Sequence, residues 1–192
     1  MIAIVKYNAG NVRSVRNALD RLGYESIVTD RESELRNAQK VIMPGVGEAG
    51  SAMKYLEERG LDVVIKSLKQ PFLGICLGLQ IMCSFTEEGN TPCLGLFDAR
   101  VKRFPPKGRI PHMGWNDFEN LSGPLFEGID IRDNVYYVHS FYAETCSHTL
   151  AVCDYLLPFS AAIQKDNFYA TQFHPEKSGS TGEIILNNFL RL

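Results

Sequence analysis

The sequence predicts a single α/β domain over residues 1–192, with a central, mainly parallel sheet and flanking helices. In the first third of the chain, short apolar runs alternate with segments whose apolar residues recur every three to four positions, the period of an amphipathic helix. This alternation is typical of a parallel sheet covered on both faces. Apolar residues make up 45% of the chain and no linker or repeat interrupts it, so one buried core accounts for the whole length.

The predicted elements follow one another closely along the chain. The strands of the first part are IAIVKY, ESIVT, KVIMP and PFLGI, and the helices are NVRSVRNALDRLG, SAMKYLEERG and LDVVIKSLK. Between about residues 94 and 172, short β-branched and aromatic runs predict mixed or antiparallel strands. The last segment, SGSTGEIILNNFLRL, is a predicted helix in which Ser180 and Glu183 form a capping box.

Composition excludes several functional classes. The formal net charge is −2 and no block of like charges occurs, which argues against a nucleic-acid-binding surface. No apolar run is long enough to span a membrane and the N-terminus does not read as a signal peptide, so we expect a cytoplasmic protein. An odd number of cysteines without CxxC spacing predicts neither a disulfide framework nor a metal site; they are Cys76, Cys83, Cys93, Cys146 and Cys153.

Cys76 lies between two glycines in GICLG, where a predicted strand gives way to a helix. This spacing fits a nucleophile elbow, a sharp turn that strains the central residue and exposes its side chain. The following helix would favour a thiolate at its N-terminus. A small buried core residue is the alternative, and the pattern alone leaves both interpretations open.

A nucleophilic thiolate needs a base, and His174 in QFHPEKS is the best candidate. Pro175 keeps the segment extended, so that Glu176 would project to the same side as His174 and orient its ring. A surface histidine near a helix start is the alternative. For His112 and His139, which lie among aromatic residues, a structural role is favoured.

The segment PGVG follows the strand KVIMP directly. Gly45 and Gly47 on either side of Val46 allow backbone N–H groups to turn toward a common point, as in an anion-binding nest. An ordinary loop between strand and helix is the alternative. The assignment as an anion site therefore depends on Cys76.

The segments GICLGLQ, PGVG and QFHPEKS together resemble the class I, triad-type glutamine amidotransferases. IPHMGWN and YYVHSFYA narrow this resemblance to the amidotransferase subunits of imidazole glycerol phosphate synthases. The resemblance runs from Ile2 to the C-terminal helix, with the motifs in the family's order. It implies an α/β fold and hydrolysis of L-glutamine to glutamate and ammonia, with no metal or cofactor.

The resemblance also implies a role for each matching residue. Cys76 would attack the carboxamide, His174 would transfer the protons, and Glu176 would orient His174. The backbone N–H groups of Val46 and Leu77 would form the oxyanion hole, with one peptide of the PGVG loop turning into place when the partner is engaged. The positions that match glutamine-binding residues are Gly45, Gly47, Gln80, His139, Ser140 and Phe141.

The family works as a heterodimer in which ammonia passes to a (β/α)₈-barrel cyclase subunit. The products there are imidazole glycerol phosphate, for histidine synthesis, and AICAR. Trp115 resembles the family's interface tryptophan near the ammonia passage, and Asn11 and Lys177 match positions near the same interface. A core aromatic is the alternative for Trp115. The chain departs from the family at Lys6, where relatives often carry aspartate in Asp-Tyr-Gly, which puts partner pairing in question.

Two other functions remain open at this stage. Some relatives pair with barrel paralogues that aminate surface-sugar precursors, and the identity of the productive partner discriminates between the acceptors. A cysteine hydrolase or chaperone-like protein, or a non-catalytic binding subunit, would share the elbow alone. The HPE segment, Gln80 and the PGVG loop argue against that class.

Overall fold

The computed structural model describes residues 1–8 and 10–192. Its strands are β1 (Ile2–Val5), β2 (Ser26–Thr29), β3 (Lys40–Met43), β4 (Phe72–Ile75), β5 (Phe85–Thr86), β6 (Thr91–Pro92), β7 (Arg100–Arg103), β8 (His112–Asn116), β9 (Asn120–Leu121), β10 (Val135–His139), β11 (Phe141–Ala143), β12 (Thr149–Tyr155), β13 (Leu157–Lys165) and β14 (Phe168–Thr171). Its helices are α1 (Val12–Arg21), α2 (Glu32–Asn37), α3 (Ala49–Glu58), α4 (Leu61–Ser67), α5 (Leu77–Met82) and α6 (Gly179–Arg191). Short 3₁₀ turns occupy Glu88–Asn90, Pro124–Phe126 and Pro175–Lys177.

The central sheet has eight strands in the order β2-β1-β3-β4-β14-β13-β12-β9. The first five strands in this order pair in parallel, and the last three pair antiparallel. The predicted parallel sheet is therefore confirmed, and so are the predicted mixed or antiparallel strands of the middle segment. Of these, β9, β12, β13 and β14 join the central sheet, and the others lie in smaller sheets. Because β1, β3, β4 and β14 run the same way, their carboxyl ends meet at one edge, where parallel sheets commonly bind ligands.

Strand β1 shows why the sheet needs helices on both faces. Ala3 and Val5 pack into one core with α2, α3, α4 and α5, whereas Ile2 and Ile4 pack into a second core with α1 and α6. Successive side chains of a strand point to opposite faces, so a continuous apolar run buries residues on both sides. Each buried Val or Ile side chain contributes about 1.5–3 kcal/mol.

Two smaller sheets adjoin the carboxyl edge of the central sheet. Strands β8 and β10 form an antiparallel pair, and β11, β7, β5 and β6 form a four-stranded sheet. The His174 N–H donates to the Tyr136 carbonyl of β10 (2.9 Å), and the Gln80 side chain donates to the Phe141 carbonyl of β11 (2.9 Å). These bonds tie both small sheets to residues that follow β14 and β4.

The predicted capping box of the C-terminal helix is wrong. Helix α6 begins at Gly179, its N-cap is Ser178, and no side chain caps it. The Ser178 hydroxyl donates instead to the His174 carbonyl (2.7 Å), and Glu183 accepts from Arg21 of α1 (3.0 Å). Ser180 therefore lies inside the helix, and Glu183 contacts a distant helix instead of the N-cap. In the part of the chain that the structure covers, none of the helices has the length and hydropathy to span a bilayer.

Candidate active site

Cys76 lies at a strained turn between β4 and α5. Its backbone adopts φ 52° and ψ −103°, a conformation that a residue with a side chain rarely adopts. A Cβ at Gly74 would lie 2.5 Å from Met82 Sδ, and one at Gly78 would lie 2.4 Å from the Met43 carbonyl oxygen. The two glycines are therefore required by close approach, as predicted for a nucleophile elbow.

His174 and Glu176 form a buried pair beside the elbow. His174 Nδ1 lies 2.9 Å from Glu176 Oε1, and both side chains are fully buried. The predicted proximity is confirmed, but the predicted extended segment is wrong, because Pro175 opens a 3₁₀ turn that carries Glu176. Asn11, expected at the partner interface, donates from its side chain to the same Glu176 oxygen. Asn11 and His174 therefore both hold Glu176 Oε1.

The charge on this pair is coupled to the cysteine. Burial alone would lower the pKa of His174, but the Cys76 thiolate and then the hydrogen bond and charge of Glu176 raise it to about 10. His174 Nε2 is buried and has no hydrogen-bond partner among the described residues. With Nδ1 committed to Glu176, Nε2 is the ring nitrogen available for proton transfer at the sulfur.

A cavity of about 310 Å³ opens above Cys76, a size suited to a small ligand. Cys76, Val46, Leu77 and Gln80 of the predicted site line it, together with Gly47 and the segment that joins β10 to β11. The complete lining is Val46, Gly47, Cys76, Leu77, Gln80, Glu88, Pro111, Val138, His139, Ser140 and Phe141. Of the residues predicted to bind substrate, only Gly45 is absent from this lining.

Glu88 is a lining residue that the sequence analysis missed. It follows Cys76 by twelve positions, in a 3₁₀ turn that no motif predicts. Its Oε2 accepts from the Ala49 N–H at the start of α3 (2.8 Å), and burial raises the pKa of its carboxyl. Its carboxylate is the acidic group of the cavity lining.

Gln80 contributes to the cavity in a narrower way than predicted. Its Nε2 uses both hydrogens within the protein, donating to the Phe141 carbonyl (2.9 Å) and to Gln172 Oε1 (3.2 Å). Only Gln80 Oε1 remains to accept a hydrogen bond from a ligand.

We call the PGVG segment, residues 44–47, the oxyanion loop. Its conformation does not form the predicted oxyanion hole. The Leu77 N–H donates to the Gly45 carbonyl at 3.4 Å, so a carbonyl oxygen occupies the position where an oxyanion would bind. The carbonyls on both sides are also held, that of Pro44 by the Tyr7 hydroxyl and that of Val46 by the Gly10 N–H (2.9 Å).

Trp115 lies on the surface, so its interpretation as a core aromatic is wrong. It is 56% exposed, and Met113, two positions earlier on the same face of β8, is 53% exposed. Trp115 contacts the ring of Tyr136 edge-on (6.0 Å between ring centres), and Lys177 Nζ lies 6.0 Å from the same ring. We call Met113, Trp115, Tyr136 and Lys177 the tryptophan surface.

Lys6 is exposed at the carboxyl end of β1, away from the cavity lining. With Asp30, Arg31 and Glu34, it lines a shallow depression beside β2. The departure from the family pattern at this position therefore leaves the residues around Cys76 unchanged. Tyr7, the next residue, is buried and contacts the oxyanion loop.

Comparisons with known proteins find relatives over essentially the whole chain. A family model described as "Glutamine amidotransferase class-I" matches residues 3–192. A protein of Bacteroides thetaiotaomicron named "Imidazole glycerol phosphate synthase subunit HisH" is 57% identical, over 100% of this chain and 99% of its own length. A protein of the same name from Haemophilus influenzae is 45% identical, over 98% of this chain and 96% of its own.

Solved structures show the same fold at much lower identity. A structure described as a glutamine amidotransferase superposes with a TM-score of 0.75 at 21% identity, covering 99% of this chain and 97% of its own. A structure described as PurLQS from Thermotoga maritima gives a TM-score of 0.75 at 17% identity, covering 99% and 97%. The predicted fold class, an α/β domain on a mainly parallel sheet, is confirmed by these neighbours.

Proposed function

Because the chain belongs to the class I glutamine amidotransferase family, we propose that Cys76, His174 and Glu176 are the catalytic triad with which it hydrolyses L-glutamine. The function is that of the glutaminase subunit of imidazole glycerol phosphate synthase, as in relatives of full-length similarity. The observation that supports the triad is the buried His174–Glu176 pair (2.9 Å) next to a thiol on a strained elbow. A cytoplasmic location remains part of this proposal.

In the proposed mechanism, the Cys76 thiolate attacks the γ-carboxamide carbon while the carbonyl electrons move to oxygen. Collapse of this tetrahedral species expels ammonia, whose nitrogen takes its proton from His174 Nε2. A water molecule then attacks the γ-glutamyl thioester and gives one proton to His174 Nε2. Glutamate leaves as its γ-carboxylic acid, which ionises in water, and the Cys76 thiolate and the His174 imidazolium are restored. Glu176 and Asn11 keep Nδ1 protonated throughout.

The oxyanion would be stabilised by the N–H groups of Leu77 and Val46. The Leu77 N–H faces the Gly45 carbonyl at 3.4 Å, so the Gly45–Val46 peptide must turn over before both donors point at the substrate oxygen. Since the flanking Pro44 and Val46 carbonyls are held, this rotation is confined to one peptide. We propose that engagement of the partner shifts the loop to the turned conformation.

We propose that Glu88 binds the α-ammonium group of glutamine, because a carboxylate in the cavity lining matches that charge. Glu88→Gln should raise KM for glutamine by about ten- to a hundredfold and leave kcat nearly unchanged, since the contact is equal in ground and transition states. The Ala49 N–H keeps an acceptor in this variant.

The matched control for this measurement is Glu87→Gln, because Glu87 is exposed and accepts from the Arg103 N–H instead. Steady-state glutaminase kinetics of the two variants and the unmodified complex give the comparison. An unchanged KM in Glu88→Gln would contradict this proposal, because the α-ammonium group of glutamine would then bind another residue.

The chain works with a cyclase subunit, as the two-subunit synthase of its relatives requires. We propose that this partner is a (β/α)₈ barrel that covers the tryptophan surface and receives ammonia there. The exposure of Trp115 (56%) and Met113 (53%) supports this, since aromatic and methionine side chains are enriched in interfaces. Passage within the complex keeps ammonia from becoming ammonium, which is not a nucleophile.

Reconstitution tests the proposed function. The chain is mixed with the cyclase subunit of its own organism, the ribonucleotide substrate and glutamine, and imidazole glycerol phosphate is assayed. We expect weak glutaminase activity alone and a strong increase with the partner and its nucleotide ligand, because the Gly45 carbonyl blocks the oxyanion position in the free chain. Full glutaminase activity without the partner would contradict this.

Amination of a surface-sugar precursor is not favoured, because relatives named for the histidine-pathway synthase match essentially the whole chain. The same assay with a barrel paralogue in place of the cyclase subunit distinguishes the two acceptors.

A further inference from the structure

Gln172 lies next to the proposed nucleophile and was not predicted as a site residue. It follows β14 directly, and its side chain is fully buried. Its Nε2 lies 3.6 Å from Cys76 Sγ, within reach of a hydrogen bond to sulfur. Its backbone N–H is held by the Ala161 carbonyl (2.8 Å), so the residue is fixed at both ends.

Hydrogen bonds connect the Phe141 carbonyl, the Gln80 side chain and the Gln172 side chain. The carbonyl sets the orientation of both side-chain amides. The Phe141 carbonyl can only accept, so the Gln80 amide must turn its nitrogen toward it (2.9 Å). The other hydrogen of that nitrogen points at Gln172 (3.2 Å), which must therefore present oxygen there. The nitrogen of Gln172 is then left to face the sulfur.

His139 and His112 reinforce this assignment of donors and acceptors. His139 Nδ1 donates to the same carbonyl (2.8 Å), so His139 Nε2 must accept from His112 Nδ1 (3.1 Å). Burial lowers the pKa of His139 to about 3 and that of His112 to about 4, so both rings stay neutral. None of these side chains can exchange its donor and acceptor atoms without leaving a buried polar group unpaired.

We propose that Gln172 is a positioning residue that donates a hydrogen bond to Cys76 Sγ and favours the thiolate. This inference rests on the proposed nucleophilic role of Cys76. A neutral thiol can instead donate to the Val138 carbonyl, at 3.9 Å. An amide N–H donates only weakly to a neutral thiol and more strongly to a thiolate, so the contact stabilises the charged form of the sulfur more.

The test compares Gln172→Met and Gln172→Glu with the unmodified chain. Gln172→Met keeps the volume and removes the donor, and Gln172→Glu keeps the shape and places an acid against the sulfur. The pH dependence of Cys76 alkylation by iodoacetamide is followed by mass spectrometry of the peptide that carries Cys76. His174 and Tyr7 are the titratable groups whose charge couples to this sulfur, so the midpoint belongs to the group as a whole.

We expect the alkylation midpoint to rise by about one pH unit or more in Gln172→Met and further in Gln172→Glu. Glutaminase kcat in the complex with the cyclase subunit should fall about ten- to a hundredfold in Gln172→Met. The control is Gln164→Met, because Gln164 donates to the Tyr169 hydroxyl (3.1 Å) on the neighbouring strands and lies outside the cavity lining. It should change neither quantity.

A midpoint that stays in place in both folded variants would overturn the proposal, even if kcat fell, because a purely structural role predicts that result. Should Gln172→Met fail to fold, which thermal unfolding reveals, Gln172→Glu alone decides. Alkylation needs no glutamine turnover, so it separates this inference from the proposed function. If the unmodified complex lacked glutaminase activity while the midpoints shifted, the proposed function would fail and the contact would stand.

Discussion

Replacing Cys76 with alanine should reduce glutamine hydrolysis by about 10⁴-fold or more, because none of the other described residues that line the cavity carries a thiol. His174→Ala should lose a comparable factor, since residues that act as one unit are not additive. Synthesis of imidazole glycerol phosphate from added ammonia should persist in the Cys76→Ala complex. The cyclase reaction needs only ammonia as its nucleophile, and the buffer then supplies that ammonia.

The matched control is Cys93→Ala, which removes a half-buried thiol outside the cavity lining. It should retain glutamine-dependent synthesis. Comparing the glutamine- and ammonia-dependent rates of each complex separates loss of the nucleophile from loss of the partner. Glutamine-dependent synthesis that survived in Cys76→Ala would remove the thiolate from the mechanism.

Gly182→Ala should destabilise the fold at the edge of the site. A Cβ there would lie 1.9 Å from the Pro175 carbonyl oxygen and 2.8 Å from Ser178 Cβ. Alanine normally stabilises a helix by about 1 kcal/mol relative to glycine, but overpacking against backbone costs about 1–3 kcal/mol or more. Because the contact is with backbone, the upper end of this cost applies, and the expected net change is a loss of about 2 kcal/mol in the free energy of unfolding.

The same substitution should also lower glutaminase kcat, by about a hundredfold, because a shift of Pro175 moves both His174 and Glu176. Denaturant unfolding and steady-state kinetics measure the two effects. Thr181→Ala, one position earlier on α6 and half-buried, is the control and should leave both nearly unchanged. A stable and active Gly182→Ala would show that the turn tolerates displacement.

The sequence predicted the fold and the elbow well, because both depend on local patterns. The alternation of strands and helices reflects burial on both faces of the sheet, and glycines around Cys76 reflect a turn that excludes side chains. The proximity of His174 and Glu176 was predicted for an incorrect reason, since a 3₁₀ turn brings them together. The roles of all these residues remain proposals.

What the sequence did not reveal depends on contacts between distant segments. Glu88 enters the cavity from a short turn, and Gln172 approaches the sulfur only because β14 pairs with β4. The predicted capping box is absent because α6 begins at Gly179, before Ser180, and Glu183 pairs with Arg21 of α1. Trp115 was open to a core interpretation until the pairing of β8 with β10 placed it outside.

The conformation of the oxyanion loop has a consequence for glutamine consumption in the cell. In the proposed mechanism, the Gly45 carbonyl stands where the oxyanion would bind, and the Leu77 N–H holds it there at 3.4 Å. A subunit produced in excess over its partner would therefore draw little on the glutamine pool and release little waste ammonium. Binding of the partner would end this idle state by favouring the turned peptide.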